Sequence, residues 1–340
     1  MTLKEIAHLA TKISIPEWIW SGNYMNIAIL SCANTGNFGD DIILEGIRIK
    51  LSKEYPQAGG KIWQVLRINK VSAEFINKQD FLIVGGGELL SHSDILRQIL
   101  KNDIKIPYMF LSVGVGSEKD VQPYLPKLTP TMWYARTKQD AETLKNCGSQ
   151  NVTVHLDPIF ECPINRKPNG RVGLCLKNDH KNSKFIEDMA GALDDLIKAG
   201  VAIDLLALNS KPKQAIFYCG DKIIISDCND EIFMQQIRSR MKKPINILAY
   251  NGNNALRFLD LLADYDGIVG ERLHSVLAAV HAKINFKAIN YHEKVSKFLN
   301  MTGLNEEIIP GDPNSIKQAI GTLWLKRSER PRWEIYEYSA

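Results

Sequence analysis

The chain has 340 residues, 45% apolar and 24% charged, with a formal net charge of +4. That length exceeds what one hydrophobic core usually serves, so two domains are expected. That charge is weak evidence for a nucleic-acid binder and fits equally well an enzyme with a few cations around an anionic substrate; no apolar stretch is long enough to cross a bilayer.

Six cysteines, at 32, 147, 162, 175, 219 and 228, form no C-x-x-C pair. Reduced thiols in a cytoplasmic protein are the expectation. Residues 1–24 lack the long apolar core of a signal peptide. They read as an N-terminal extension, a short helix and then a segment carrying Trp18 and Trp20. That extension is expected to pack on the first domain or to touch a membrane surface or partner.

Apolar runs of strand length then alternate with helical patterns. Strands are expected at 26–33, 61–68, 80–85, 108–113, 131–135 and 152–156, with helices at 41–54, 93–102 and 137–147. Alternation of this kind implies βαβ units and a parallel sheet. The segment CPINRKPNGR, 162–171, has the prolines and glycine of a linker. Strands resume at 171–176, 201–208, 222–226, 245–249, 266–269 and 285–289. Helices are expected near 182–199, 230–242, 253–264, 272–282 and 292–302, and the tail reads as helical to about 328.

The fold class that follows is α/β, two doubly wound Rossmann-like domains facing a cleft. Residues 25–160 form the first domain and 161–310 the second. Residues 311–340 form a helix and tail that could cross back to the first. Ligands on such sheets bind beyond the carboxyl ends of the strands.

Three glycine-bearing loops fall at strand ends of the first domain. In NTGNFGDDIILEGI, Gly36 and Gly39 permit close approach of a ligand, and Asp40 or Asp41 is expected to cap the helix that follows. DFLIVGGGELL ends in Gly85, Gly86 and Gly87, and MFLSVGVGS carries Ser112 and Gly114. None is a G-x-G-x-x-G dinucleotide loop. Together Asn37, Gly39, Asp40, Gly85, Gly86, Gly87, Ser112 and Gly114 are the candidate acceptor side.

The second domain supplies cations. In DYDGIVGERLHSVLAAVHA, a strand meets Gly270 and a helix follows with Leu273, Val276, Leu277 and Val280 on its buried stripe. Glu271, Arg272 and His274 crowd its first turn, where free N–H groups, a guanidinium and an imidazole suit a phosphate or carboxylate. Arg136 and Lys294 also sit at strand carboxyl ends. A metal site is not expected, because His274 and His281 lie about 10 Å apart along the helix and no H-E-x-x-H is present. No nucleophile elbow appears either.

With these residues assembled, the chain resembles the polysaccharide pyruvyl transferase family. NTGNFGDDIILEGI is similar to its N-x-G-D loop and DFLIVGGGELL to its glycine-rich strand end. The stretch ARTKQDAETLKNCGSQNVTVHLDPIF is similar to its R-x-x-x-S…DP segment, with Asp140 where serine is usual. GERLHSVLAAVHAKINFKAINYHEK is similar to its R-x-H helix with a lysine downstream. The resemblance implies transfer of pyruvate from phosphoenolpyruvate to two hydroxyls of a sugar, with no further cofactor, on a fold like that of two-domain GT-B glycosyltransferases. It implies Arg136, Arg272, Leu273, His274 and Lys294 as donor-site residues, with Arg272 and His274 catalytic.

The partner it implies is a saccharide in polysaccharide or exopolysaccharide synthesis. For a lipid-linked acceptor, Trp18, Trp20, Trp324 and the pair Lys326 and Arg327 are candidates for contact with the inner face of the membrane. The alternatives are a nucleotide-sugar glycosyltransferase and a non-catalytic sugar- or anion-binding protein. The first is disfavoured because residues 277–282 carry no carboxylate to hold a ribose. Oligomeric state is left open.

Overall fold

In the first unit, six apolar runs line up as one parallel sheet. These are β1 (Ile27–Ser31), β2 (Trp63–Arg67), β3 (Phe81–Gly87), β4 (Tyr108–Val113), β5 (Met132–Ala135) and β6 (Val152–Val154), ordered β2-β1-β3-β4-β5-β6. The computed structural model describes residues 26–32, 36–54, 63–67, 73–91, 94–178, 182–210, 214–219, 222–227, 229–329 and 331. β1, β3 and β4 are buried along their whole length, as expected of strands covered on both faces, whose sequences read as unbroken apolar runs.

The helix Phe38–Glu54 closes one face of this sheet with Ile43, Leu44, Ile47 and Leu51 in the core beside Ile29, Ile83 and Leu111. It begins three residues before the expected start. Its cap is Asn37, whose side-chain oxygen accepts from the N–H of Gly39 at 3.1 Å. Asp40 and Asp41 lie in the first turn and favour the positive end of the helix dipole.

β7 (Val172–Cys175), β8 (Ile203–Ala207), β11 (Asn246–Ala249), β12 (Gly267–Gly270), β13 (Asn285–Ile289) and β14 (Ile308–Ile309) build the second parallel sheet, ordered β11-β8-β7-β12-β13-β14. Counted within the unit this is 3-2-1-4-5-6, the dinucleotide-fold order, which reverses direction between β7 and β12. Such a switch point opens a crevice at the strand carboxyl ends.

The chain departs from the expected layout in two places. The run at 222–226 is no strand of this sheet. β9 (Gln214–Cys219) and β10 (Lys222–Asp227) form an antiparallel hairpin of their own. The second unit also extends past 310. The helix Pro313–Leu325 places Ile316, Ala319, Ile320 and Leu323 in the same core as Val172, Leu205 and Val269. Residues 332–340 lie outside the described residues, as do Trp18 and Trp20. Trp324 packs partly buried on that core and carries the Arg327 guanidinium 4.1 Å from its ring centroid.

Clustering of the backbone assigns 26–32 and 40–162 to the first unit, and 36–39 and 163–331 to the second. The N-terminal half of the linker is fastened to the second unit. The N–H of Asn165 donates to Asp260 at 2.7 Å and Arg166 donates to the Ala263 carbonyl at 3.0 Å. No described helix is long and apolar enough to cross a membrane.

A buried imidazole sets an acid limit on the first unit. His155 is 2% exposed, donates from Nδ1 to the Leu156 carbonyl at 2.7 Å, and meets the Tyr134 ring edge-on. Burial, with the nearby Lys50 charge, pushes its pKa from 6.5 down to about 4. The unfolded chain therefore binds the proton more readily. The stabilisation is complete above pH 6.5, falls as pH drops, and is gone below pH 4. Urea unfolding should show a loss of about 2 kcal/mol between pH 7 and pH 5. His155→Gln should flatten that step; an unchanged step in the variant would place the titrating group elsewhere.

Candidate functional site

At the switch point of the second sheet, the carboxyl ends of β7 and β12 are stitched together. The N–H of Glu271 donates to the Cys175 carbonyl at 2.8 Å, and the Glu271 carboxylate accepts from the N–H of Lys177 at 2.7 Å. The helix Leu273–His281 starts there, with Arg272 at its N-cap position in extended conformation and no side chain capping it. Leu273 is 3% exposed and its side chain belongs to the core, so its backbone is what it offers a ligand.

Arg272 does not stand alone at this edge. Its Nε and Nη2 donate to Oδ2 and Oδ1 of Asp230 at 3.0 and 2.5 Å, and the carboxylate is fully buried. Burial opposes the guanidinium charge, but the Asp230 carboxylate outweighs it and holds Arg272 above the ordinary arginine range. Asp230 comes from the first turn of the helix Asp230–Arg238. No sequence pattern marks it as a partner of a residue so distant along the chain.

His274 lies on the backbone of the N-x-G-D loop. A Cβ on Gly39 would fall 2.2 Å from its Nδ1 and 2.9 Å from its Cγ. Contacts that close do not occur, so residue 39 must be glycine for the ring to rest there. The loop is pinned within the second unit by further contacts. The N–H of Phe38 donates to the Leu208 carbonyl at 2.9 Å, Asn37 forms an antiparallel bridge with Asn209, and the Phe38 ring packs on Tyr250 and Phe258. Asn37 and Gly39 thus stand with Arg272 and His274 in the second unit.

Lys294 lies in the first turn of the helix Glu293–Thr302, capped by His292. Its Nζ is 5.3 Å from the ring centroid of Tyr291. The Cys175 thiol beneath this edge is pushed up to about 12 by burial and the Asp230 charge, which removes it as a nucleophile.

The first unit presents a separate cluster. Arg136 follows β5, is 5% exposed, and rests on Gly114, where a Cβ would lie 2.5 Å from Nη2. Among the described residues no carboxylate pairs with this guanidinium. Asp140, 1% exposed, is engaged otherwise. Its Oδ2 accepts from the Thr137 hydroxyl at 2.7 Å and its Oδ1 from the N–H of Val115 at 3.1 Å. It therefore ties the loop after β4 to the start of the helix Lys138–Asn146. The N–H of Gly114 donates to the Gly87 carbonyl at 2.8 Å, which sets the ends of β3 and β4 side by side.

Two readings of the glycine loops change. Gly85 and Gly86 are bare because the helix Phe38–Glu54 packs onto them: a Cβ would lie 2.7 Å from Ile47 Cδ1 and 1.8 Å from Ile43 Cγ2. Only Gly87 has room above it, with Asp40 Oδ1 3.8 Å from where its Cβ would be. Ser112 is fully buried in a left-handed conformation, φ 54°, and donates to the Leu156 carbonyl at 2.9 Å. Its hydroxyl holds the chain after β6 in place and has no donor hydrogen left for a sugar.

A family model described as polysaccharide pyruvyl transferase matches residues 37–293. The chain belongs to that family. The match takes in Asn37, Gly39, Arg136, Arg272 and His274, and ends one residue before Lys294. No curated protein matches the chain.

Among solved structures, this pyruvyl transferase family member is similar to a putative UDP-N-acetylglucosamine 2-epimerase from Listeria monocytogenes, at 9% identity and TM-score 0.56, over 90% of this chain and 89% of that one. It is also similar to S. aureus MnaA with UDP, at 12% identity and TM-score 0.54, over 90% and 91%. A UDP-GlcNAc 2-epimerase from Methanocaldococcus jannaschii with UDP-GlcNAc and UDP gives 13% and 0.54, over 92% and 96%. These likenesses establish a GT-B-like fold of two Rossmann-like units. Among the described residues no cluster of three or more His, Cys, Asp or Glu could hold a metal.

Proposed function

We propose that the chain transfers pyruvate from phosphoenolpyruvate to two hydroxyls of a saccharide, forming a ketal. The observation that carries this is the seating of His274 on Gly39, which joins the family's two most specific motifs in one place beside a helix end and the Arg272–Asp230 pair. In the proposed reaction one hydroxyl oxygen bonds to C2 of the donor as the vinyl CH2 takes a proton to become CH3. The second hydroxyl oxygen bonds to the same carbon as the C2–O bond to phosphate breaks. One hydroxyl proton is thus accounted for on the methyl group and the other on the departing phosphate.

His274 is the proposed proton-transfer group, and the uncapped helix end the proposed anchor for donor negative charge. Arg136, buried and with no carboxylate partner among the described residues, is a second proposed anion-binding group. The reaction so written needs no cofactor beyond its two substrates. A lipid-linked acceptor and work at the inner membrane face are part of the proposal.

The test supplies the purified chain with phosphoenolpyruvate and a panel of saccharides, without nucleotide sugar. Acceptor-dependent phosphate release with a ketal product supports the reading. Turnover that requires a nucleotide sugar, or donor binding with no turnover on any acceptor, overturns it.

A further inference from the structure

The amino edge of the second sheet, opposite the edge that bears His274, carries a surface of another kind. Helices covering a parallel sheet run back along it, so their last turns lie at the strand amino ends. The helix Ser183–Lys198 ends just before β8 and the helix Asp230–Arg238 before β11. The chain leaving the helix Pro313–Leu325 is tied to the start of β13, where the Asn285 amide donates to the Glu329 carbonyl at 3.0 Å. Ser183–Lys198 and Pro313–Leu325 are also neighbours, joined by Lys317 and Asp195 at 2.6 Å.

Cations gather along this edge. Lys198, Arg240, Lys242 and Lys243 are exposed and line one groove. Asp194 lies in the same groove but accepts from the backbone N–H groups of Lys242 and Lys243, both at 2.8 Å. It thereby fixes the backbone and leaves both ammonium groups to solvent. Lys326 and Arg327 add two exposed cations at the end of Pro313–Leu325. Among the described residues none of these six forms an ion pair. Glu187, Asp194 and Glu329 offset only part of their charge. The dipole of a helix accounts for a cation in its last turn, such as Lys198. It does not account for the three cations that lie past the end of Asp230–Arg238.

Nor does it account for Leu325. That side chain is 80% exposed, the most exposed large apolar group among the described residues. It stands between Trp324, half-buried with the Arg327 guanidinium 4.1 Å from its ring centroid, and Lys326. Cations spread over the ends of three helices are not focused on one point, so a single phosphate would meet few of them. A broad anionic surface meets them all, and its headgroup layer takes in an apolar side chain.

We propose that this amino edge is the face the protein lays on an anionic phospholipid bilayer. Lys198, Arg240, Lys242, Lys243 and Lys326 meet the headgroups and Leu325 enters among them. The inference rests on the membrane part of the reading above and names the surface that serves it. The edge bearing His274 then points away from the bilayer, toward a saccharide carried clear of its lipid.

The test measures co-sedimentation of the full chain with vesicles of equal parts phosphatidylcholine and phosphatidylglycerol, beside vesicles of phosphatidylcholine alone. The parent is expected to bind the mixed vesicles and to release them as salt rises from about 0.1 to 0.5 M. Lys242→Gln with Lys243→Gln should weaken that binding about tenfold or more. Leu325→Ser should weaken it about fivefold, and Leu325→Trp should match or exceed the parent. All of these changes lie on exposed side chains, and turnover on a soluble acceptor should stay within about threefold of the parent.

No preference for the anionic vesicles, or parental binding in the double lysine variant or in Leu325→Ser, would overturn the inference. Binding to polyglutamate but not to vesicles would also overturn it, and would assign the face to an acidic protein. Vesicle binding needs neither substrate, so the two readings fail separately. Binding without turnover keeps this face and removes the activity, and turnover without binding does the reverse.

Discussion

His274→Gln is expected to lower kcat by ~10²–10⁴ while leaving KM for phosphoenolpyruvate within about threefold. Glutamine keeps a polar side chain of similar reach but cannot take up or release a proton. The effect should therefore fall on the chemical step and spare binding. The ring's seat on Gly39 makes the expectation strict, because a group locked at 2.2 Å from a missing Cβ has little freedom to be replaced by a neighbour. Phosphate-release kinetics on the folded variant, checked by circular dichroism, provide the measurement. Turnover at the parent's rate would take His274 out of the chemistry, and a rise in KM alone would make it a binding residue.

Asp230→Ala carries the largest expected stability cost. It leaves the Arg272 guanidinium, 14% exposed at its side chain, without the carboxylate that receives two of its donors. Removing one partner of a buried ion pair costs ~3–5 kcal/mol. The hydrogen bond from the N–H of Asn178 to Asp230, at 3.3 Å, is lost as well. Urea unfolding of Asp230→Ala beside Asp230→Asn gives the measurement. The asparagine variant keeps one acceptor and should fall between the parent and the alanine variant. A loss below about 1 kcal/mol in Asp230→Ala would mean that the pair is solvated and exchanges freely with water.

The sheets were legible where strands are buried on both faces, as in the run IAILS and the run FLIVGGG. The R-x-H helix was legible because its apolar stripe has the helical period and a glycine-ended strand precedes it. The start of the first helix was misplaced because two acidic residues made a plausible cap, whereas Asn37 does the capping from outside the apolar pattern. In the sequence the glycines at 85 and 86 suggest room for a ligand, yet they make room for Ile47 and Ile43; bareness in a sequence does not say what fills the space. Asp230 was invisible because its partner is fixed only by tertiary structure.

The hairpin of β9 and β10 hydrogen-bonds with itself and joins neither parallel sheet. Its base is drawn shut on the side of the Rossmann scaffold, where the N–H of Asp230 donates to the Asn209 carbonyl at 2.7 Å and the Asn229 amide donates to the Ser210 carbonyl at 2.8 Å. Evolution can therefore lengthen, shorten or redecorate the excursion between 211 and 228 without disturbing strand order. The first residues after it are not at liberty in the same way, since the carboxylate that steadies Arg272 re-enters the scaffold there. Diversity among relatives should accumulate in the appendage and stop abruptly at its exit.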